Sequence, residues 1–113
     1  MDGWIYLISD VDNTNNLYKI GITRKKDINE RLKELQTGNG KKLYLHNSFK
    51  TKYPYKVEKM LHNLYSPYHE NGEWFRLNQE QIDNFLIECQ NKENICECLK
   101  DNPFFNKKKQ VQY

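Results

Sequence analysis

Two short apolar stretches near the N-terminus, bounded by polar and turn-forming residues, read as strands. Residues 3–9 (Gly3 to Ser9) and 17–23 (Leu17 to Thr23) are aromatic-rich and β-branched, as strands are. Between them, Asp10 to Asn16 is dense in turn formers. The two stretches read as the arms of one β-hairpin. One face would carry Ile5, Leu7, Tyr18, Ile20 and Ile22 and meet the core. The other would carry Trp4, Tyr6, Lys19 and Gly21. A turn near Asp12-Asn13 would set Tyr6 directly opposite Lys19, and opposed residues share a face with Cβ atoms roughly 5 Å apart. An ammonium there would favour the phenolate and lower the pKa of Tyr6. Gly21, beside Lys19, leaves room for the close approach of a backbone or a ligand.

The period then becomes helical. Asp27 is a suitable N-cap, and Glu30 completes a capping-box pattern. Ile28, Leu32 and Leu35 form the apolar stripe, with Arg31 at its border and Gly38 as a stop. Residues 42–51 alternate as a third strand through Leu43, Leu45 and Phe49. Pro54 suits the first turn of a second helix whose inward positions are Val57, Leu61, Leu64 and Tyr65. Gly72 to Leu77 reads as a short strand. A third helix over 79–89, capped by Asn78, turns Ile82, Phe85, Leu86 and Cys89 inward. Residues 91–99 add a helical turn, and a basic tail follows from Asn106 with Lys107, Lys108 and Lys109. The order β-β-α-β-α-β-α predicts an α+β domain over residues 1–90, a small antiparallel sheet packed with helices, with 91–113 as a C-terminal helical turn and tail.

Composition narrows the function. A chain of 113 residues supports one small domain. No apolar run approaches the roughly 20 residues of a membrane span, and no secretory leader is visible. An intracellular protein, cytoplasmic or nuclear and not secreted, is expected. Cys89, Cys96 and Cys98 are then expected to be reduced thiols, and their spacing is not that of a zinc site. Charge is segregated: residues 19–59 hold 12 Lys/Arg against 4 Asp/Glu, and the rest holds 6 against 11. Such segregation points to a polyanionic partner. Arg24, Lys25, Lys26, Lys41 and Lys42 are candidates for gripping a phosphate backbone; a merely solvated surface is the plain alternative.

Phosphodiester cleavage needs an activated water, neutralised charge on the phosphate and a stabilised leaving oxygen. Tyr6, Lys19, Arg31 and a carboxylate would cover these needs. The best carboxylate is Glu58, which shares its helix face with Leu61 and Tyr65 and so lies beside the buried stripe. Held there, it could bind one Mg²⁺ or Mn²⁺ with waters completing the shell. His62, four residues on, shares its side of the helix, though a surface histidine is the plainer reading.

The strings G-W-I-Y at 3–6, Y-K-I-G-I-T at 18–23, E-R-L-K-E-L-Q-T-G at 30–38, V-E-K-M-L-H at 57–62 and G-E-W-F at 72–75 occur in that order. Together they resemble the GIY-YIG nuclease domain, above all its small phage and large-virus subgroup. The resemblance implies a three-stranded antiparallel sheet flanked by helices. It also implies that Tyr6 is the base or its assistant, that Arg31 contacts the scissile phosphate and that Glu58 binds the metal. Lys19 stands where the second motif usually has tyrosine, and Leu35 where many members have histidine. The later polar position, often asparagine, corresponds to Glu73. The implied function is a metal-dependent DNA endonuclease of low intrinsic sequence specificity. RNA is not separated from DNA as substrate, no membrane partner is expected, and a double-strand break would need a homodimer or two encounters. The rival is a non-catalytic nucleic-acid-binding module that keeps the fold.

Overall fold

The computed structural model describes residues 2–13 and 15–102. Strands β1 (Gly3–Asp10), β2 (Leu17–Thr23), β3 (Leu43–Thr51), β4 (His69–Asn71) and β5 (Trp74–Arg76) make one sheet in the order β3-β1-β2-β5-β4. Every pairing is antiparallel. Helices α1 (Ile28–Thr37), α2 (Pro54–Leu64), α3 (Gln79–Asp83) and α4 (Phe85–Leu99) flank it. The expected α+β class holds, but the sheet has five strands where the family resemblance implied three. The three are β3-β1-β2; the 69–76 hairpin widens the sheet beyond β2. Its first strand has three exposed residues, so no apolar alternation announced it.

Strand β1 is central and buried on both faces, with Ile5, Tyr6, Leu7 and Ile8 each at most 1% exposed. On one face Ile5, Leu7, Tyr18 and Ile20 pack against Val57, Leu61, Ile82, Phe85, Cys89 and Cys96 of the α2, α3 and α4 layer. This is the core face expected from the alternation. On the other, Tyr6, Ile8 and Leu43 form a smaller cluster under Ile28, Leu32 and Leu35 of α1. The unbroken apolar run Trp4–Ile8 is the sequence mark of a strand covered on both sides.

The hairpin register differs from expectation by two residues. Tyr6 faces Gly21, and Lys19 faces Ile8. Parity is kept, so Tyr6, Lys19 and Gly21 still share a face, with Lys19 diagonal to Tyr6. The turn is displaced because Asn13 and Asn16 adopt left-handed backbone (φ 41° and 56°), which asparagine tolerates. A bulge opposite Leu7/Ile8 splits β3. It leaves Leu43 and Leu45 under α1 while Phe49 packs in the α2 layer, so the three do not share one face as a regular strand would have them.

Capping explains the helix ends. Asp27 accepts from Asn29 N–H at 2.9 Å, while the reciprocal Glu30 bond of a capping box is not formed. Asn78 and Gln81 form a full capping box. The predicted third helix is broken at Asn84 into α3 and α4, and α4 then runs through residues 91–99, so the boundary placed after residue 90 falls inside α4. Cys89 and Cys96 are buried in the main core, Cys98 is exposed, and none of the three forms a disulfide. Leu64 and Leu86, expected inward, are 39% and 41% exposed. The basic stretch Lys107–Lys109 lies outside the described residues. Among those described, no helix is long and apolar enough to cross a membrane.

Candidate active site

Strand β5 pairs with β2 only across Leu17, Tyr18 and Lys19. A further bond from Ile20 N–H to the Glu73 carbonyl (3.0 Å) closes the ladder, and from Gly21 onward β2 has an open edge. Four elements deliver polar groups to that edge.

Tyr6 arrives from β1. A Cβ on Gly21 would lie 2.5 Å from Tyr6 Oη and 2.6 Å from Cζ. The ring therefore lies over the Gly21 backbone and carries its hydroxyl across β2. Any side chain at position 21 would occupy that space. Tyr6 Oη is buried, and its polar neighbour is the Arg31 guanidinium.

Arg31 arrives from α1, at the border of the stripe that covers the Tyr6 cluster. Burial pushes the Tyr6 phenol up; the Arg31 guanidinium pulls it down without overcoming burial, and Glu73 and Glu58 push it up further. Arg31 Nε is buried, while Nη1 bonds Glu34 Oε1 at 3.2 Å. Asp27, one turn before Arg31, caps the helix by accepting from Asn29 N–H.

Glu58 arrives from α2, next to buried Val57 and one turn before buried Leu61. Its pKa is pushed up to about 7, first by burial and then by the neighbouring Glu73 carboxylate. Its Oε2 is buried, 3.9 Å from His62 Nε2. His62 Nε2–H donates to the Ile20 carbonyl at 2.9 Å, and its ring packs on Phe75 with centroids 4.9 Å apart. The histidine is thus half-buried and fixed at the rim. Glu73, from the β4–β5 turn, stands between Glu58 and Lys19, whose Nζ is 3.7 Å from Glu73 Oε1. The expected lowering of the Tyr6 pKa by Lys19 does not hold, because Lys19 is diagonal to the ring and its charge faces Glu73.

The T5orf172 domain family matches residues 3–90. The chain belongs to the T5orf172 domain family. That family is related to the GIY-YIG nucleases and is associated with nuclease-like and DNA-binding proteins. No curated protein and no solved structure matches the chain.

Within this T5orf172 domain, Tyr6, Lys19, Arg31 and Glu58 come together from four elements separated widely in sequence. The basic candidates lie on two sides of them. Arg24, Lys25 and Lys26 follow β2, near Trp4 and Lys50. Lys41 and Lys42 precede β3 at the end opposite Lys50, beside the recess that Lys19 and Glu34 share with Asn39 and Leu43. Two sets of contacts beside the site were not anticipated from the sequence. Glu34 bonds both Arg31 and Lys25 (Nζ to Oε2, 3.0 Å), and its position three residues after Arg31 was the signal available. Gln36 donates to Lys41 O (2.9 Å) and accepts from Leu43 N–H (2.8 Å), tying the 38–42 loop to α1.

The oxygen donors for a cation are Glu58 and Glu73. Among the described residues, no group of three or more His, Cys, Asp or Glu side chains is gathered to enclose one. A divalent ion here would therefore take its remaining positions from water or phosphate, as Mg²⁺ commonly does.

Proposed function

We propose that this T5orf172 domain is a divalent-metal-dependent endonuclease that hydrolyses DNA phosphodiester bonds with low intrinsic sequence specificity. The observation that carries the reading is the convergence at the open β2 edge. A buried phenol, a guanidinium beside it and two carboxylates meet there, with Gly21 cleared to admit the phenol. Structural residues satisfy their polar atoms. Here Tyr6 Oη, Arg31 Nε and Glu58 Oε2 are buried and only loosely met: the Arg31 guanidinium is the neighbour of the phenol, and Glu73 that of Glu58.

The donor set fits Mg²⁺ or Mn²⁺. Glu58 Oε2 is a hard, buried oxygen, and a second carboxylate beside it raises the cost of charging both unless a cation joins them. Glu58 would hold the ion, with Glu73 alongside. Such an ion, when bound, supplies charge neutralisation on the phosphate and the leaving oxygen.

The chain's own residues do the rest. Arg31 is placed to neutralise a non-bridging phosphate oxygen, a role worth roughly 10²–10³ in rate when one such donor is removed. Tyr6 Oη accepts a hydrogen bond from the attacking water and orients it. Taking that water's proton requires the phenolate, which Arg31 favours and burial opposes. Glu58 must be ionised to hold the ion. Cleavage should therefore rise from mildly acid to alkaline pH. Lys19 holds Glu73 and, through it, the position of Glu58; it is a positioning residue in this reading.

Comparison of Tyr6→Phe and Arg31→Ala tests the assignment. Tyr6→Phe should retain DNA affinity and lose cleavage by about 10²–10⁴-fold. Arg31→Ala should lose both. Full cleavage by Tyr6→Phe would remove the phenol from the mechanism.

A further inference from the structure

A second recess opens beside the site. It has a volume of about 320 Å³ and is lined by Trp4, Arg24, Lys25, Lys26, Lys50 and Asp2. Trp4 is on β1, facing Thr23 on one side and Lys50 on the other. It precedes Tyr6 by two residues on the same face, roughly 7 Å along the strand. Its indole is only half-buried. The recess is also joined to the candidate active site by charge: Glu34 holds Lys25 of the recess and Arg31 of the site with its two oxygens.

Four cations and one carboxylate around an accessible indole favour one class of ligand. Lysines and arginines alone would serve a duplex, which presents phosphates and hides its base faces. An aromatic ring set among them suits a strand whose bases are unpaired, because every base offers a face for stacking. We propose that this recess takes an unpaired nucleotide of single-stranded DNA adjoining the scissile phosphate, its base stacked on Trp4 and its phosphates on Arg24, Lys26 and Lys50. The preferred substrate is then DNA with an unpaired stretch beside the cleaved bond. The position of the scissile phosphate rests on the nuclease reading above; the stacking does not.

Binding by the full chain in EDTA separates the two ideas. Trp74→Phe leaves Trp4 as the sole tryptophan of the two. Titration with a short oligothymidylate should quench its fluorescence saturably, and a duplex of equal length should quench it far less. Trp4→Ala should weaken single-strand binding by about 5- to 100-fold, the range for loss of one stacked base, and duplex binding by less than about twofold. Trp4→Phe, which keeps the ring and the packing, should retain most of the affinity. Duplex binding without quenching by the single strand overturns the inference and leaves the nuclease reading standing. Equal losses on both ligands in Trp4→Ala, or the same loss in Trp4→Phe, overturn it as a purely structural effect. Binding of neither ligand overturns both readings.

Discussion

The Tyr6 ring fills the volume that a Cβ at position 21 would need, 2.5 Å from Oη. Gly21→Ala should accordingly expel the phenol and not merely crowd it. The expected cost is about 1–3 kcal/mol of stability, as for overpacking, with a larger loss of cleavage than of DNA binding. Thermal melts beside cleavage and binding assays check this; unchanged cleavage would mean that the phenol's position is immaterial. Glu58 makes a second prediction. Its folded pKa is raised, to about 7 from 4.5, so the folded metal-free protein binds the Glu58 proton more tightly than the unfolded chain does. The stabilisation is complete below the unfolded pKa and is lost as pH rises through about 7. Glu58→Gln should thus stabilise the metal-free protein by roughly 1–3 kcal/mol at pH 8 and hardly at all at pH 4, a difference readable from denaturant midpoints. No pH dependence of that gain would show that Glu58 ionises freely. Such gains are typical where a functional site holds charges at the expense of stability.

Helix α1 does two things: its apolar stripe closes the small cluster over Tyr6, and Glu34 on its outer side binds Arg31 and Lys25. A carboxylate gripped by two cations occupies the place a phosphate would contest. Glu34→Gln should raise DNA affinity about two- to fivefold, a small effect in keeping with the weakness of exposed ion pairs. Weaker binding would mean that Glu34 organises the cations and does not compete with phosphate. At this scale the sequence was readable where a periodicity was strong. The Asp27 and Asn78 caps, Pro54 at the start of α2 and the core face of the hairpin all follow from local pattern. What pattern could not supply were two-residue effects set by backbone conformation. Left-handed Asn13 and Asn16 shift the hairpin register, and the β3 bulge turns Phe49 to the opposite layer from Leu45. Parity survived the register shift, so the right residues share a face although Tyr6 meets Gly21 and not Lys19. Strand β4, polar and three residues long, left no signal, whereas 72–77 read as a strand from its sequence; the hairpin they form delivers Glu73.

Over the whole molecule, the sheet collects its site at one open edge while the Arg24–Lys26 run and Lys50 extend a basic surface from it. Lys41 and Lys42 sit at the other end of β3 from Lys50, so the surplus of charge read between residues 19 and 59 flanks the site on two sides. Five cations (Arg24, Lys25, Lys26, Arg31 and Lys50) are placed near the site, and binding through them predicts a slope of log affinity against log salt of about −4. A slope near zero would rule out phosphate contacts as the source of affinity. The central claim concerns hydrolysis, and relaxation of supercoiled plasmid measures it most directly. Purified wild type and Glu58→Ala would each be incubated with EDTA, Mg²⁺ or Mn²⁺. The account predicts nicking by wild type with either metal, none in EDTA, and none by Glu58→Ala under any condition. Intact plasmid throughout with DNA binding retained, or equal nicking by both proteins, would contradict it.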